Sequence, residues 1–367
     1  MTRARESQLP SGRPDDLRNS DEADSVIAQS PMRASQTFFA IAGIVLPVVT
    51  GVGLAYWLLT AVLERQIDLG RVQRIIEIAR HLDETRPQHP WTVFVGDSIP
   101  REGIDAEIVQ QASPGEAHVS NFAISGFDIS EHKIFLPRIL DAQPDVVVMS
   151  LSLSVGCTIR HLDMDKAYAY ALAGYVDYWP PDWKVDSFAA TSEQSDKALR
   201  SSRLEQYLYF RTAPVNSFDH NLRLQLRGDL RPDYIADFVR PHEYTRPINR
   251  RALEQHMAKV RKTYSHCVPG RDDRRLAGYN DLIDLIASAG AFPVVMVVPI
   301  HPELRGGARD FLAHAEGFLA PALARTGGAF FDLRDLLDEG EFIDATHPNE
   351  TGRAHLSRII GQRLRTL

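Results

Sequence analysis

The sequence predicts an α/β protein: a three-layer sandwich with a parallel sheet between two layers of helices. Two observations carry this. From Trp91 to the C-terminus, short apolar runs rich in Val, Ile and Phe alternate with segments of helical periodicity, the pattern of successive strand–helix units. Such units cross over right-handed, so the strands lie parallel and both faces of the sheet are covered. The residue types able to do chemistry also fall at one kind of place. Ser98, Gly126 and Ser154 each follow a predicted strand, which brings three separate segments to the carboxyl edge of the sheet, where ligand sites of open parallel sheets lie.

Residues 1–36 are polar, rich in Arg, Asp, Ser and Pro, and lack apolar periodicity. Such a segment buries too little surface to offset its ordering entropy, so a disordered tail is expected. No charged residue occurs from Ala34 to Leu63, and Phe38 to Leu63 is almost wholly apolar. A bilayer core needs about 20 helical residues, so residues 37–63 are long enough to span it as a signal anchor. Tyr56 and Trp57 suit the interface, and Pro47, Gly51 and Gly53 are better tolerated in a span than in an exposed soluble helix. A cleaved signal peptide is the alternative. Its apolar stretch would be about 7–15 residues with a small-x-small site, which Leu59-Thr60-Ala61 matches poorly. Arg18 and Arg33 flank one side of the span, and Arg65, Arg71, Arg74 and Arg80 the other. That count leans against an inside N-terminus, but large domains translocate largely regardless of charge. An extracytoplasmic domain, periplasmic on an inner membrane, is therefore expected. Residues 64–88, with Val72, Ile75, Ile76, Ile78 and Leu82, read as an amphipathic stalk helix.

Residues 89–367 form the α/β domain. Trp91 to Val95 reads as a buried strand ending in a glycine turn that carries Ser98. Ile104 to Ala112 reads as a helix, His118 to Ile124 as the second strand, Ile129 to Leu140 as a helix and Asp145 to Leu153 as the third strand. An insertion over 158–267 follows, aromatic-rich (Tyr168, Tyr170, Tyr175, Tyr178, Trp179, Trp183, Tyr207, Tyr209, Phe210) and expected to be largely helical. Its aromatic faces suit sugar rings or acyl chains, or they pack the insertion onto the core. Arg274 to Ala289 is a helix, Phe292 to Val298 the fourth strand, Phe311 to Ala324 a helix, Ala329 to Leu333 the fifth strand, and Thr351 to Leu364 the final helix. Cys157 and Cys267, the only cysteines, bracket the insertion. Its entry and exit should lie close together, so a disulfide in an oxidising compartment and two buried free thiols both remain open.

A net charge of −7 with dispersed arginines argues against nucleic acid as a partner, since phosphate binding wants a basic face. No group has metal-ligand spacing, and no cofactor is expected. The chemistry points elsewhere. A serine hydroxyl attacks an acyl carbon when a base takes its proton and a third group orients that base. Gly96-Asp97-Ser98 supplies a hydroxyl after a strand, and Asp344-Ala345-Thr346-His347 supplies imidazole and carboxylate. Of thirteen histidines, only His347 has an aspartate three positions before it. Ser98, His347 and Asp344 are thus the candidate catalytic residues. Asp97, adjacent to Ser98, more naturally holds the turn through local backbone N–H groups. His301 also follows a strand and either lines the site or lies behind it.

These blocks resemble those of the SGNH (GDSL-type) hydrolase superfamily over residues 90–157 and 268–367. The resemblance implies a flavodoxin-like three-layer fold, with Ser98 as nucleophile in the Gly-Asp-Ser block and Asp344 and His347 in the closing Asp-x-x-His block. It implies oxyanion donors at Ser98, at Gly126 in Asn121-Phe122-Ala123-Ile124-Ser125-Gly126, and at Ser154. In the third block, which usually reads Gly-x-Asn, Ser152 replaces the glycine and Ser154 the asparagine. With its anchor the chain is similar to membrane-bound envelope proteins such as the D-alanine transfer protein and the alginate O-acetylation proteins. That implies a serine esterase or O-acyltransferase acting on acyl esters of envelope polysaccharide or a small ester, beside a separate multipass membrane acyltransferase. The altered third block favours the rival class, a non-catalytic envelope scaffold or binding protein retaining the fold. The complete Ser–His–Asp set favours catalysis.

Overall fold

The computed structural model describes residues 45–54, 71–84, 89–113, 117–153, 166, 169–170, 173–175, 250–271 and 273–367. The chain divides into two units, Met1–Thr60 and Ala61–Leu367. In the first, residues 45–54 are helical and expose Val45, Leu46, Val48, Val49, Val52 and Leu54. Among the described residues no helix is long and apolar enough to cross a membrane. The expected tail over 1–36, and residues 37–44 and 55–63 of the expected span, lie outside the described residues.

The second unit is built on a five-stranded sheet, and every strand pairing is parallel. Its strands are β1 (Trp91–Val95), β2 (His118–Asn121), β3 (Val146–Leu151), β4 (Phe292–Val297) and β5 (Ala329–Asp332), in the order β2-β1-β3-β4-β5. The register brings the carboxyl ends together: Phe94 opposite Asn121, Val95 opposite Met149, Leu151 opposite Val297, and Val297 opposite Asp332. This is the doubly wound order of flavodoxin-like sheets. β2 lies beside β1 and β4 beside β3, so the strand order reverses between β1 and β3, the place where open parallel sheets hold their ligands. β1 is buried at all its positions, and β3 and β4 at all but the first, because helices cover both faces.

The described α-helices of this unit are α1 (Arg71–Glu84), α2 (Ser98–Gly103), α3 (Ala106–Ala112), α4 (Ile129–Asp141), α5 (Arg250–Tyr264), α6 (Asp273–Ser288), α7 (Arg309–Thr326) and α8 (Glu350–Leu364). One side of the sheet packs Phe94, Val148, Val294 and Met296 against Ile104, Val109, Leu356 and Ile360. Burial of this kind, at about 25 cal/mol per Å² of apolar surface, is the main force holding the layers together.

Several elements differ from the sequence expectation. The helix expected over Ile104 to Ala112 starts at Ala106, and a separate short helix, α2, which was not expected, precedes it over Ser98–Gly103. Asp97 caps α2 at Ser98, Ile104 ends it in an extended conformation, and Asp105 restarts the chain by accepting the backbone N–H groups of Glu107 and Ile108. β2 and β3 end short of Ile124 and Leu153, where the chain turns off the sheet edge into the site loops. Within the expected stalk, α1 is part of the α/β body. Ile75, Ile78 and Ala79 are buried, and the Arg74 guanidinium donates to the backbone carbonyls of Asn121 and Ala123.

The expected insertion is likewise not a free appendage where it is described. Lys166, Tyr170 and Tyr175 are buried, as are Met257, Val260 and Tyr264 of α5. Tyr170 and Tyr175 therefore act by packing, edge to face with each other at 5.6 Å. Most of the other insertion aromatics lie outside the described residues. Cys267 is disulfide-bonded; Cys157, the chain's other cysteine, lies outside the described residues.

Candidate active site

β1 runs into Gly96, whose φ of +155° few side chains adopt. A Cβ there would sit 1.9 Å from Ser150 Oγ, so only glycine lets this turn pass β3. Asp97 follows and serves the turn twice. One oxygen accepts the Ile99 backbone N–H at 3.0 Å, and the other accepts the Ser152 hydroxyl at 2.6 Å. The second bond ties the turn after β1 to the end of β3. Asp97 is thus a structural acid of the turn, which leaves Ser98 at the first position of α2.

Ser98 Oγ lies 3.0 Å from His347 Nε2, and His347 Nδ1 lies 2.8 Å from Asp344 Oδ2. The structure therefore brings the three candidates together in the order hydroxyl, imidazole, carboxylate, the first two standing 249 positions apart in the chain. In the neutral imidazole this geometry places the proton on Nδ1, donated to Asp344, and leaves Nε2 to accept from the serine.

The Asp-x-x-His spacing closes on itself. Asp344 Oδ1 accepts the backbone N–H groups of Thr346 at 2.7 Å and His347 at 2.8 Å, which aims Oδ2 at the ring. The loop is held from below by Ile343 N–H to His347 O and Asn349 N–H to Glu341 O. Phe342 bridges Pro348, and His301 packs its ring on Phe342 at 5.2 Å while accepting the Glu303 N–H. His301 therefore lies behind the loop that carries His347, with burial lowering its pKa.

The electrostatics follow from burial opposed by partners. Burial alone would push the Asp344 carboxyl up, but its bonds to His347 and the two backbone N–H groups hold it at about 2. Burial alone would pull the His347 imidazole down, but the Asp344 hydrogen bond and the charges of Glu102, Asp344 and Asp97 raise it to about 9.

Gly126 sits in the loop after β2, and its carbonyl accepts from Lys166 Nζ at 2.6 Å. Lys166 also pairs with Glu131 at 2.8 Å, and both side chains are about 2% exposed or less. Glu131 in turn accepts the Asp128 N–H and the Tyr170 hydroxyl, so a buried network clamps this loop. Ser154, the third expected oxyanion donor, lies outside the described residues. Among the described residues no group of His, Cys, Asp and Glu could hold a metal ion.

Sequence reasoning missed three contributors. Glu102 of α2 places Oε2 3.6 Å from His347 Nε2. His256 of α5 places Nδ1 3.9 Å from Asp344 Oδ2. Lys166 is the third. Only Glu102 had a signal: it stands four residues after Ser98, on the same face once a helix is started at the serine.

No family model and no curated protein matches the chain. Among solved structures it is similar to a protein from Bacteroides fragilis described as an acylhydrolase, at 10% identity and a TM-score of 0.38, over 80% of this chain and 95% of that one. It is also similar to a family two carbohydrate esterase from Clostridium thermocellum in complex with cellohexaose, at 12% identity and a TM-score of 0.34, over 77% of this chain and 64% of that one. An active-site mutant of a family two carbohydrate esterase from the same organism matches at 10% identity and a TM-score of 0.35, over 77% and 65%.

Proposed function

We propose that the protein is a serine esterase or O-acyltransferase that works through an acyl-serine intermediate. The observation that carries this is the continuous relay Ser98–His347–Asp344, with contacts of 3.0 and 2.8 Å. In this reading Ser98 Oγ attacks an acyl carbonyl as His347 Nε2 takes its proton. Asp344 keeps the proton on Nδ1 and stabilises the imidazolium that forms. The imidazolium then protonates the leaving alkoxide, and Ser98 carries the acyl group. Water, or a sugar hydroxyl, gives its proton to Nε2 and attacks the acyl-serine, and collapse returns the proton to Ser98. The oxyanion formed in each half would be met by the Ser98 and Gly126 N–H groups and by Ser154.

The substrate class proposed is an acyl ester of envelope polysaccharide, on the resemblance of the motif blocks and the anchor to envelope acylation proteins. Anchoring through residues 37–63 is supported by the apolar exposed helix at 45–54. An extracytoplasmic domain is supported by the disulfide at Cys267, since such bonds persist in oxidising compartments.

Labelling of the full-length protein with a fluorophosphonate probe tests the reading. Wild type should label covalently and Ser98→Ala should not. Equal labelling of the two, or none in wild type under conditions that label a known serine esterase, overturns it.

A further inference from the structure

We propose that Glu102 is a positioning residue of this site: its carboxyl stands against the Nε2 edge of His347, across the ring from Asp344, so that the imidazole is held between two acids. The inference rests on the reading of Ser98, His347 and Asp344 as a catalytic relay, and it adds a fourth group to it.

The geometry leaves Glu102 little else to do. Its side chain is 4% exposed, and Oε2 is buried with no hydrogen-bond partner among the described residues. A carboxylate shut off from bulk solvent must be neutralised or face a cation. Oε2 lies 3.6 Å from His347 Nε2, and that nitrogen also reaches Ser98 Oγ at 3.0 Å. One imidazole edge is therefore shared between the nucleophile and an acid carried on the same short helix.

Glu102 cannot easily swing away, because its helix is pinned. Arg353 Nε donates to the Glu102 carbonyl at 2.9 Å, and Asn121 Nδ2 donates to the carbonyls of Pro100 at 2.9 Å and Ile104 at 3.0 Å. Among the described residues, several neighbouring elements contribute charge. α2 brings Arg101 with Glu102, the turn after β1 brings Asp97, the closing loop brings Asp344, α8 brings Arg353, and α5 brings His256 beside Asp344. Burial, countered in part by His347, Arg101 and Arg353, leaves the Glu102 carboxyl raised to about 7. The imidazole, raised to about 9 against burial, owes part of that to Glu102.

Two consequences follow. The free enzyme gains its base only as the imidazolium loses its proton, so kcat/KM for an ester should climb with pH toward a midpoint near 9. Glu102→Gln keeps the shape and removes the charge, so that midpoint should fall by about one unit or more. The two groups titrate as a pair, and a second, smaller step near 7 should appear in wild type and vanish in the variant.

The experiment is a pH titration of the full-length protein with ¹⁵N-labelled histidine, following the His347 ring nitrogens by NMR and assigning them by their absence in His347→Gln. The acid limb of kcat/KM for p-nitrophenyl acetate is measured in parallel. The expected result is a lower imidazole midpoint in Glu102→Gln, retention of a high one in Glu102→Asp, and a kinetic limb that moves with the ring. An unchanged midpoint in Glu102→Gln overturns the proposal. If Glu102→Gln does not fold, the wild-type titration decides: a single step at the ordinary histidine value overturns the proposal, and a midpoint near 9 with a step near 7 supports it. The ring titration needs no turnover. A protein that shifts its imidazole but labels with no fluorophosphonate would keep this coupling and lose the esterase reading, and one that labels without the shift would do the reverse.

Discussion

Replacing Asp344 with asparagine tests the relay with the least change of shape. Asp344 Oδ1 accepts two backbone N–H groups, and an amide oxygen can keep both, so the loop should survive. The amide nitrogen then faces His347 Nδ1, where a carboxylate oxygen stood at 2.8 Å. Two N–H groups cannot bond each other, so Nδ1 must become the acceptor and the proton must move to Nε2. An Nε2–H cannot take the proton of Ser98. Holding the imidazole at about 9 rather than its ordinary 6.5 corresponds to roughly 3 kcal/mol in favour of the charged ring, shared between Asp344 and Glu102 after the cost of burial. Inverted tautomer and lost charge together should cost about 10³–10⁴ in kcat for p-nitrophenyl acetate.

The same variant has a stability signature whose sign is determined. A histidine with a raised folded-state pKa contributes stability that is full below its unfolded value and is lost as pH rises through about 9. A carboxyl with a depressed folded-state pKa contributes stability that is full above its unfolded value and is lost as pH falls through about 2. The pair therefore stabilises most between about pH 4 and 6.5. Urea unfolding of wild type and Asp344→Asn should differ most near pH 5.5, and the gap should narrow as pH rises through about 9. A variant within tenfold of wild type in kcat, or a stability gap that widens toward pH 10, would refute the reasoning.

Lys166→Met should strand the Glu131 carboxylate in the interior and release the Gly126 carbonyl, costing about 3–5 kcal/mol in chemical denaturation. Adding Glu131→Gln should recover most of that loss, and a single variant as stable as wild type would show the clamp to be energetically idle. Gly352→Ala should be destabilising by about 1–3 kcal/mol in the same assay, because a Cβ there would lie 2.2 Å from the Glu341 carbonyl. Since Glu341 O anchors the loop bearing His347, labelling of Ser98 should slow in that variant as well, and an unchanged rate would separate the helix from the loop.

What was legible in the sequence was local. Alternating apolar runs marked the strands, because a strand buried on both faces must be apolar along its length. The spacing of Asp344 and His347 marked the relay, because a side chain that caps backbone N–H groups two and three residues on turns its free oxygen toward a ring at the third position. Asp97 was readable as a turn acid for the same reason. The start of α2 was not, since Pro100 and Gly103 obscure a helix that the Asp97 cap and the close approach of Pro348 to Gly103 define.

The sequence by itself determined the succession of parallel strands and helices and the identities of Ser98, His347 and Asp344, all properties of residues within a few positions of one another. Only the tertiary structure decided the order β2-β1-β3-β4-β5 and the joining of Ser98 to His347. It alone brought His256 and Lys166 to the site and set Glu102 against His347. Those are contacts between segments tens to hundreds of residues apart, and periodicity along a chain carries no information about which distant faces will share a buried charge.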